Sequence, residues 1–269
     1  MSNRISEKFK QQKIENRGGF IPFIMAGDPN LRTTEQLILE LARIGASVIE
    51  LGIPFSDPVA DGATIQRSGE RSLKNRIGIK EVLELIARIR QKGCGAPIIL
   101  FGYFNPILQF GLENFVRKAK EAGADGVLVT DLVPEEAEEF YKLLTTKNLS
   151  LITLAAPTSS DERLRKICEK ASGFVYAVSR AGVTGARTDL SSDAESLVER
   201  LRKITDLPIA VGFGISTKEQ VAEVWRYADA AVVGSAIVAE MMRLAPNQEE
   251  VAADFVEKIG HFTNSLLPI

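Results

Sequence analysis

Hydrophobic positions along the 269-residue chain fall into two kinds of segment that alternate. Short apolar runs recur throughout: Gly19 to Ala26 (GFIPFIMA), Ser47 to Gly52 (SVIELG), Pro97 to Phe101 (PIILF), Gly126 to Thr130 (GVLVT), Leu149 to Ala155 (LSLITLA), Gly173 to Ser179 (GFVYAVS), Pro208 to Gly212 (PIAVG) and Ala230 to Gly234 (AAVVG). A strand with one wet face alternates apolar and polar residues. Most of these eight runs do not, which suits strands buried on both faces of a parallel sheet. Between them the apolar positions take a helical period. Ile79, Val82, Leu83, Ile86 and Ile89 share one face of segment 79–91, and Leu197, Val198, Leu201 and Ile204 share one face of 192–204. Leu37, Leu41 and Ile44 mark a third helix, and Pro134 is placed to open a fourth from Glu135 to Thr145. Eight strands alternating with eight helices predict parallel pairing through right-handed crossovers.

Closed barrels and open doubly wound sheets both meet that description. The units are regular, with no break in composition. The text after the first strand, AGDPNLR, lacks the glycine fingerprint of a dinucleotide-binding sheet. The expectation is therefore an α/β fold, a single (β/α)8 TIM barrel spanning 1–269, close to the roughly 250 residues usual for that fold. Ile5 to Ile14 predicts an extra N-terminal helix that plugs one end, and 248–266 an extra C-terminal helix packed outside.

Composition narrows the partners. A formal charge of −2 gives no electrostatic case for nucleic acid or an anionic membrane. No stretch approaches the roughly 20 apolar residues of a membrane span. The polar opening MSNRISEKFKQQK lacks the apolar run of a signal peptide. Cys94 and Cys168 form neither a disulfide framework nor a CxxC metal pair. Together these features predict a soluble, cytoplasmic protein.

In such barrels the chemistry sits at the C-terminal ends of the strands. Glu50 interrupts the second apolar run. It either reaches solvent at the strand tip, or it is buried and must pair or do chemistry. Asp61 lies eleven residues on, in a loop long enough to fold back over the mouth, and is either a turn former or a second functional carboxylate. Asp57, in Ser-Asp-Pro, reads first as a turn. Gly212-Phe213-Gly214 ends strand seven and Gly234-Ser235 ends strand eight at a helix start. Glycine lets backbone approach a ligand, and free N–H groups at a helix start favour an anion, so this pair of loops is a candidate phosphate site. The loop 179–187, with Thr184 and Gly185, reads as a lid or as a plain surface loop. The segment 101–111 is too apolar for an ordinary exposed loop and lines a pocket, meets a partner or packs on the rim. Phe23, Ile65 and Tyr176 are placed to hold a flat aromatic ligand. His261 is the only histidine and lies far from any strand tip, which leaves no His-based metal site or Ser-His-Asp triad. No lysine ends a strand, so a Schiff-base aldolase lacks its amine.

The stretches PFIMAGDP (22–29), IELGIPFSDPVADGATIQ (49–66), SRAGVTG (179–185), GFGIS (212–216) and GSAIV (234–238) resemble the tryptophan synthase alpha subunit family, from Phe20 to about Met241. The resemblance implies retro-aldol cleavage of indole-3-glycerol phosphate to indole and glyceraldehyde 3-phosphate without a cofactor or metal. It carries over Glu50 as the acid–base residue and Asp61 as its partner. It assigns the phosphate to Gly185, Gly214, Gly234 and Ser235, and the indole pocket to Phe23, Phe101, Tyr176 and neighbours; Ile65, Tyr103 and Phe213 are expected to bind the substrate too, and Thr184 is placed to meet a carboxylate or a substrate oxygen. It also implies a pyridoxal-phosphate beta subunit as partner, in an allosteric heterotetramer of two alpha and two beta subunits that passes indole through a tunnel. The contact would fall on 101–111 with Asp57 and Pro58. The chain departs from the family's usual text at Val133, commonly proline, and at Phe101 and Gly102. Three other readings share parts of the pattern: a lyase that works alone and frees indole, a binding subunit that does not cleave, and another phosphate-binding barrel such as a sugar-phosphate isomerase.

Overall fold

The computed structural model describes residues 3–179, 192–248 and 251–268. Eight strands close into a parallel barrel in sequence order: β1 (Gly19–Met25), β2 (Ile49–Gly52), β3 (Ile98–Gly102), β4 (Gly126–Val129), β5 (Ser150–Ala155), β6 (Val175–Val178), β7 (Ile209–Gly212) and β8 (Ala230–Val233). Seven lie inside the runs that predicted them, and β3 runs one residue past its own, to Gly102. The unbroken apolar runs have a direct cause: neighbouring residues point to opposite faces, and both faces are dry. Ile49 and Leu51 join the cluster beneath the surrounding helices, as do Ile98 and Leu100. Phe23, Met25, Ile99, Phe101 and Tyr176 join a second cluster that fills the barrel.

Among the described residues there are twelve helices. The single-helix connections are α2 (Leu31–Ile44), α7 (Glu138–Thr146), α8 (Asp161–Lys170), α9 (Ser192–Arg202), α10 (Lys218–Val224) and α11 (Ser235–Leu244). Two crossovers hold a pair each: α3 (Ala63–Lys74) with α4 (Ile79–Gln91), and α5 (Phe104–Phe110) with α6 (Leu112–Ala122). The eight-helix reading missed α3 and α5. The buried face of α3 is Ile65, Ser68, Gly69 and Ser72, too polar to register as an apolar stripe. In α5, Pro106 sits in the first turn, where backbone N–H groups lack helical partners anyway.

The terminal helices are α1 (Arg4–Ile14) and α12 (Phe255–Ser265). As predicted, α1 closes the bottom: Ile5 and Phe9 enter the barrel cluster, and Phe9 packs on Phe174 at 5.8 Å. The expected C-terminal helix over 248–266 is shorter, opening only at Phe255 after the turn at Asp254. It packs on α2 closely enough that a Cβ at Gly260 would fall 2.4 Å from a Glu40 oxygen. The helix expected over Glu135–Thr145 begins at Glu138, because Pro134 opens a tight turn in which Glu136 N–H donates to Val133 at 3.0 Å. Among the described residues no helix is long and apolar enough to cross a membrane.

A fourfold device ties strands together at the bottom. The N–H of Phe20 in β1 donates to Ser47 just ahead of β2 (2.8 Å), and that of Ile98 in β3 to Asp125 ahead of β4 (2.9 Å). Leu151 in β5 donates to Ser172 ahead of β6 (2.8 Å), and Ile209 in β7 to Asp229 ahead of β8 (2.7 Å). Each odd strand is thereby clamped to the start of the next. Asp125 also pairs with Arg90 and Arg4, each at 2.8 Å. Asp125→Ala should lower stability by about 3–5 kcal/mol because it leaves Arg90 unpaired. Ser172→Ala, which loses a single acceptor, should cost about 1–3 kcal/mol. Urea midpoints would check that order, and equal losses would contradict it.

Candidate active site

The mouth is the C-terminal end of the barrel. Glu50 sits between two residues that face the helices, so its side chain points into the interior, with Phe23 on β1 and Ile99 on β3 in register beside it. It does not reach solvent as a strand-tip residue could: it is 1% exposed, and among the described residues its Oε1 has no hydrogen-bond partner. Burial alone pushes its carboxyl up to about 8, so at neutral pH it is mostly the uncharged acid. Its charge is felt by Tyr176, whose phenol is raised well above its usual value by burial and by Glu50.

Aromatic rings wall this carboxyl. Phe23 and Phe101 meet edge to face at 5.1 Å, and Tyr176 meets Phe213 in the same manner at 5.8 Å. Ile65, the one buried aliphatic residue of α3, belongs to the same apolar cluster. Gly212 has a different use from the expected one. A Cβ there would fall 2.1 Å from the Tyr176 hydroxyl, so its bareness houses that ring rather than bringing backbone to a ligand.

Asp61 lies in the loop between β2 and α3, half-buried and held by a hydrogen bond from Tyr103. Burial raises its carboxyl to about 6 and Tyr103 opposes the rise. The Tyr103 hydroxyl also accepts from Ala60 N–H at 3.0 Å and interacts with Thr130, and its ring packs on Phe55 at 5.3 Å. Tyr103 therefore fastens the carboxylate loop to the ends of β3 and β4.

The ends of β7 and β8 present bare backbone at the rim. Phe213 and Gly214 both have positive φ, +75° and +84°, and no described residue lies within 4 Å of where a Gly214 side chain would begin. A bulky residue held at positive φ is a strained feature of the kind found at functional sites. Gly234 caps α11 without a side-chain hydrogen bond, leaving the first-turn N–H groups at exposed Ser235 available. Thr184 and Gly185, with the rest of 180–191, lie outside the described residues.

The apolar segment 101–111 is mostly not a loop. In α5, Ile107 is buried, and Phe104 and Phe110 pack on Phe140 and Phe115 at 5.9 and 6.5 Å. Rim packing thus accounts for most of it, and Leu108 alone among its large apolar residues is 47% exposed. His261 is exposed on α12 beside Glu257, away from the mouth. Cys94 and Cys168 are free thiols. Asp28 is assigned no role from the sequence. It is fully buried against Ser68 and Arg71.

These features define a (β/α)8 barrel of the enzyme type, with two carboxylates of unlike environment and a helix N-terminus at one mouth. A family model described as the tryptophan synthase alpha chain matches residues 9–266. A tryptophan synthase alpha chain from Caulobacter vibrioides is 46% identical over 264 residues, covering 98% of this chain and 96% of the relative. One from Roseiflexus is 45% identical over 96% of this chain and 99% of its own. The crystal structure of tryptophan synthase subunit alpha from Legionella pneumophila superposes with a TM-score of 0.89 at 35% identity, over 99% and 97% of the two chains. A chain of the tryptophan synthase complex from Pyrococcus furiosus does so at 0.84 and 37%, over 94% and 98%. The chain belongs to the tryptophan synthase alpha chain family.

Tyr103→Phe removes the donor that favours ionised Asp61, so the Asp61 carboxyl should titrate above its present value of about 6. A carboxyl-labelled NMR titration would follow it, and an unchanged or lower midpoint would show that Tyr103 does not hold that charge.

Proposed function

We infer that the chain cleaves indole-3-glycerol phosphate to indole and glyceraldehyde 3-phosphate, as the alpha subunit of a tryptophan synthase. The observation that carries this reading is Glu50, a buried carboxyl packed among aromatic rings whose Oε1 has no hydrogen-bond partner among the described residues, kept as an acid at neutral pH. In this reading the indole ring lies against Phe23, Phe101, Ile65 and Tyr176, and the phosphate sits at Gly214, Gly234 and Ser235 with help from Gly185. Thr184, Tyr103 and Phe213 complete the enclosure.

Neutral Glu50 donates its proton to indole C3. The positive charge that results spreads toward N1, where ionised Asp61 stabilises it. Glu50, now a carboxylate, takes the proton of the glycerol hydroxyl next to the scissile bond. The carbon–carbon bond breaks, its electron pair returns to the ring, and the former alcohol carbon becomes the aldehyde. Glu50 ends protonated, as it began, so a single carboxyl serves both transfers. Holding the phosphate and the ring at once removes much of the entropic barrier. A subunit that only binds this ligand has no use for a desolvated, unpaired carboxyl, and its burial favours cleavage over that rival.

The partner in this reading is a beta subunit, seated on the rim where Val59, Leu108 and Val133 are exposed beside Asp57 and Pro58. Two free thiols suit a cytoplasmic setting.

The two carboxyls set the pH range. Below about 6 Asp61 gains a proton and loses its stabilising charge, and above about 8 Glu50 loses the proton it must donate. The profile of kcat/KM should therefore be a bell between those limits. A flat profile across that range would contradict the assignment. Glu50→Gln should bind substrate normally and lose activity by about 10²–10⁴-fold in a spectroscopic indole assay, and near-parent turnover would refute the acid–base role. With a beta subunit at micromolar concentration the chain should co-elute on size exclusion and release indole faster. Separate elution with full activity alone would favour the stand-alone lyase.

A further inference from the structure

Side chains of α3 bolt it to the turn after β1. Ser68 donates to Asp28 Oδ2 at 2.5 Å, and Arg71 Nε to Asp28 Oδ1 at 2.8 Å. Ser72 donates to the Ala26 carbonyl, and Asn75 to those of Gly27 and Pro29 at 2.9 and 2.7 Å. Their three- and four-residue spacing places these donors on one helical face. A second guanidinium nitrogen of Arg71 donates to the carbonyl of Ala245, the residue that caps the C-terminal end of α11, at 2.7 Å.

The far ends of these two helices are the two halves of the site. Ahead of α3, Gln66 in its first turn donates to the Asp61 carbonyl at 2.9 Å and to that of Pro58 at 3.4 Å, fastening the carboxylate loop to the helix. At the other end of α11 stands Ser235, at the anion-receptive helix start. One half-buried guanidinium thus joins the element carrying Asp61 to the element carrying the phosphate end.

We propose that Asp28 and Arg71 are positioning residues that set the distance between Asp61 and the anion-binding start of α11, and so the register of a ligand spanning both. The proposal rests on the reaction inferred above. Neither residue touches the reacting atoms. Their effect passes through two helices, each stiff along its axis because every turn is hydrogen-bonded to the next.

The protein carries its own control. Arg90–Asp125, at the closed end of the barrel, is a pair of equal length and like burial. Both arginine side chains are 12% exposed, and the aspartates are 0% and 4% exposed. Arg→Lys at either position keeps the charge and loses the planar fork that reaches two acceptors at once. Only the pair at the mouth should affect a spanning substrate.

The test compares Arg71→Lys and Arg90→Lys in the full chain, measuring melting temperature, kcat and KM for indole-3-glycerol phosphate, and competitive inhibition by inorganic phosphate. Both variants should melt earlier. Arg71→Lys should lower kcat/KM about 10- to 100-fold, since an ångström of misplacement costs that much. Phosphate occupies one half of the site, so its inhibition constant should stay within about threefold of the parent. Arg90→Lys should leave all kinetic constants near parent. Should Arg71→Lys not fold, Ser68→Ala, which removes one donor to Asp28 and keeps the ion pair, takes its place, with an expected loss of about threefold or more in kcat/KM. The proposal is overturned if the mouth variant keeps parent kcat/KM, if Arg90→Lys lowers it equally, or if phosphate inhibition weakens in parallel with kcat/KM. A parent chain that releases no indole would sink the reaction and this link together, whereas an active parent with an indifferent mouth variant would sink the link alone.

Discussion

A carboxyl group buried without a hydrogen-bond partner is the constraint around which this barrel is arranged. Removing an ionised carboxylate from water costs several kcal/mol, and Glu50 avoids that cost by remaining protonated. Its surroundings keep it so. Ile49 and Leu51 anchor β2 to the helical layer and thereby turn Glu50 inward, while Phe23, Phe101 and Tyr176 leave it little but apolar surface to face. Asp61 sits closer to water and has a phenol for a donor, so it ionises at lower pH. Two carboxyls at one mouth, separated in affinity for protons by their surroundings, make an acid and an anion.

The barrel divides stability from function along its axis. At the closed end, Ser47, Asp125, Ser172 and Asp229 clamp strands in pairs, and α1 seals the interior. At the open end the polar interactions hold loops and helices that carry the site: Tyr103 on the Asp61 loop, Arg71 between α3 and α11. This is the partition expected of the fold, where the strand C-termini carry chemistry and the opposite face carries structure.

Much of this was legible in the chain. Eight apolar runs became eight strands because a strand packed on both faces has no polar positions to interrupt it, and for the same reason one Glu in such a run stood out. The helix start read from the glycine-rich end of β8 is where α11 begins. Other features were hidden by their own chemistry. The buried face of α3 is mainly Ser and Gly and bonds by hydroxyls, so an apolar-periodicity reading passes over it, and the Asp28–Arg71 link with it. The apolar text of α5 left pocket, partner and packing readings open, and Ile107 and the two phenylalanines pack in the helical layer, the rings on α6 and α7. Gly212 looked like a ligand contact and proved to be room for Tyr176, a pairing across strands that no local pattern reveals.

The account stands on Glu50 being an uncharged acid at neutral pH. Difference infrared spectroscopy of the ligand-free protein against Glu50→Gln reads that state directly, through the carbonyl stretch of a protonated carboxyl. The account predicts that band at pH 7 and its disappearance as pH rises through about 8. A carboxylate signal already complete at pH 7, with the protonated band gone by the ordinary glutamate range, would contradict it.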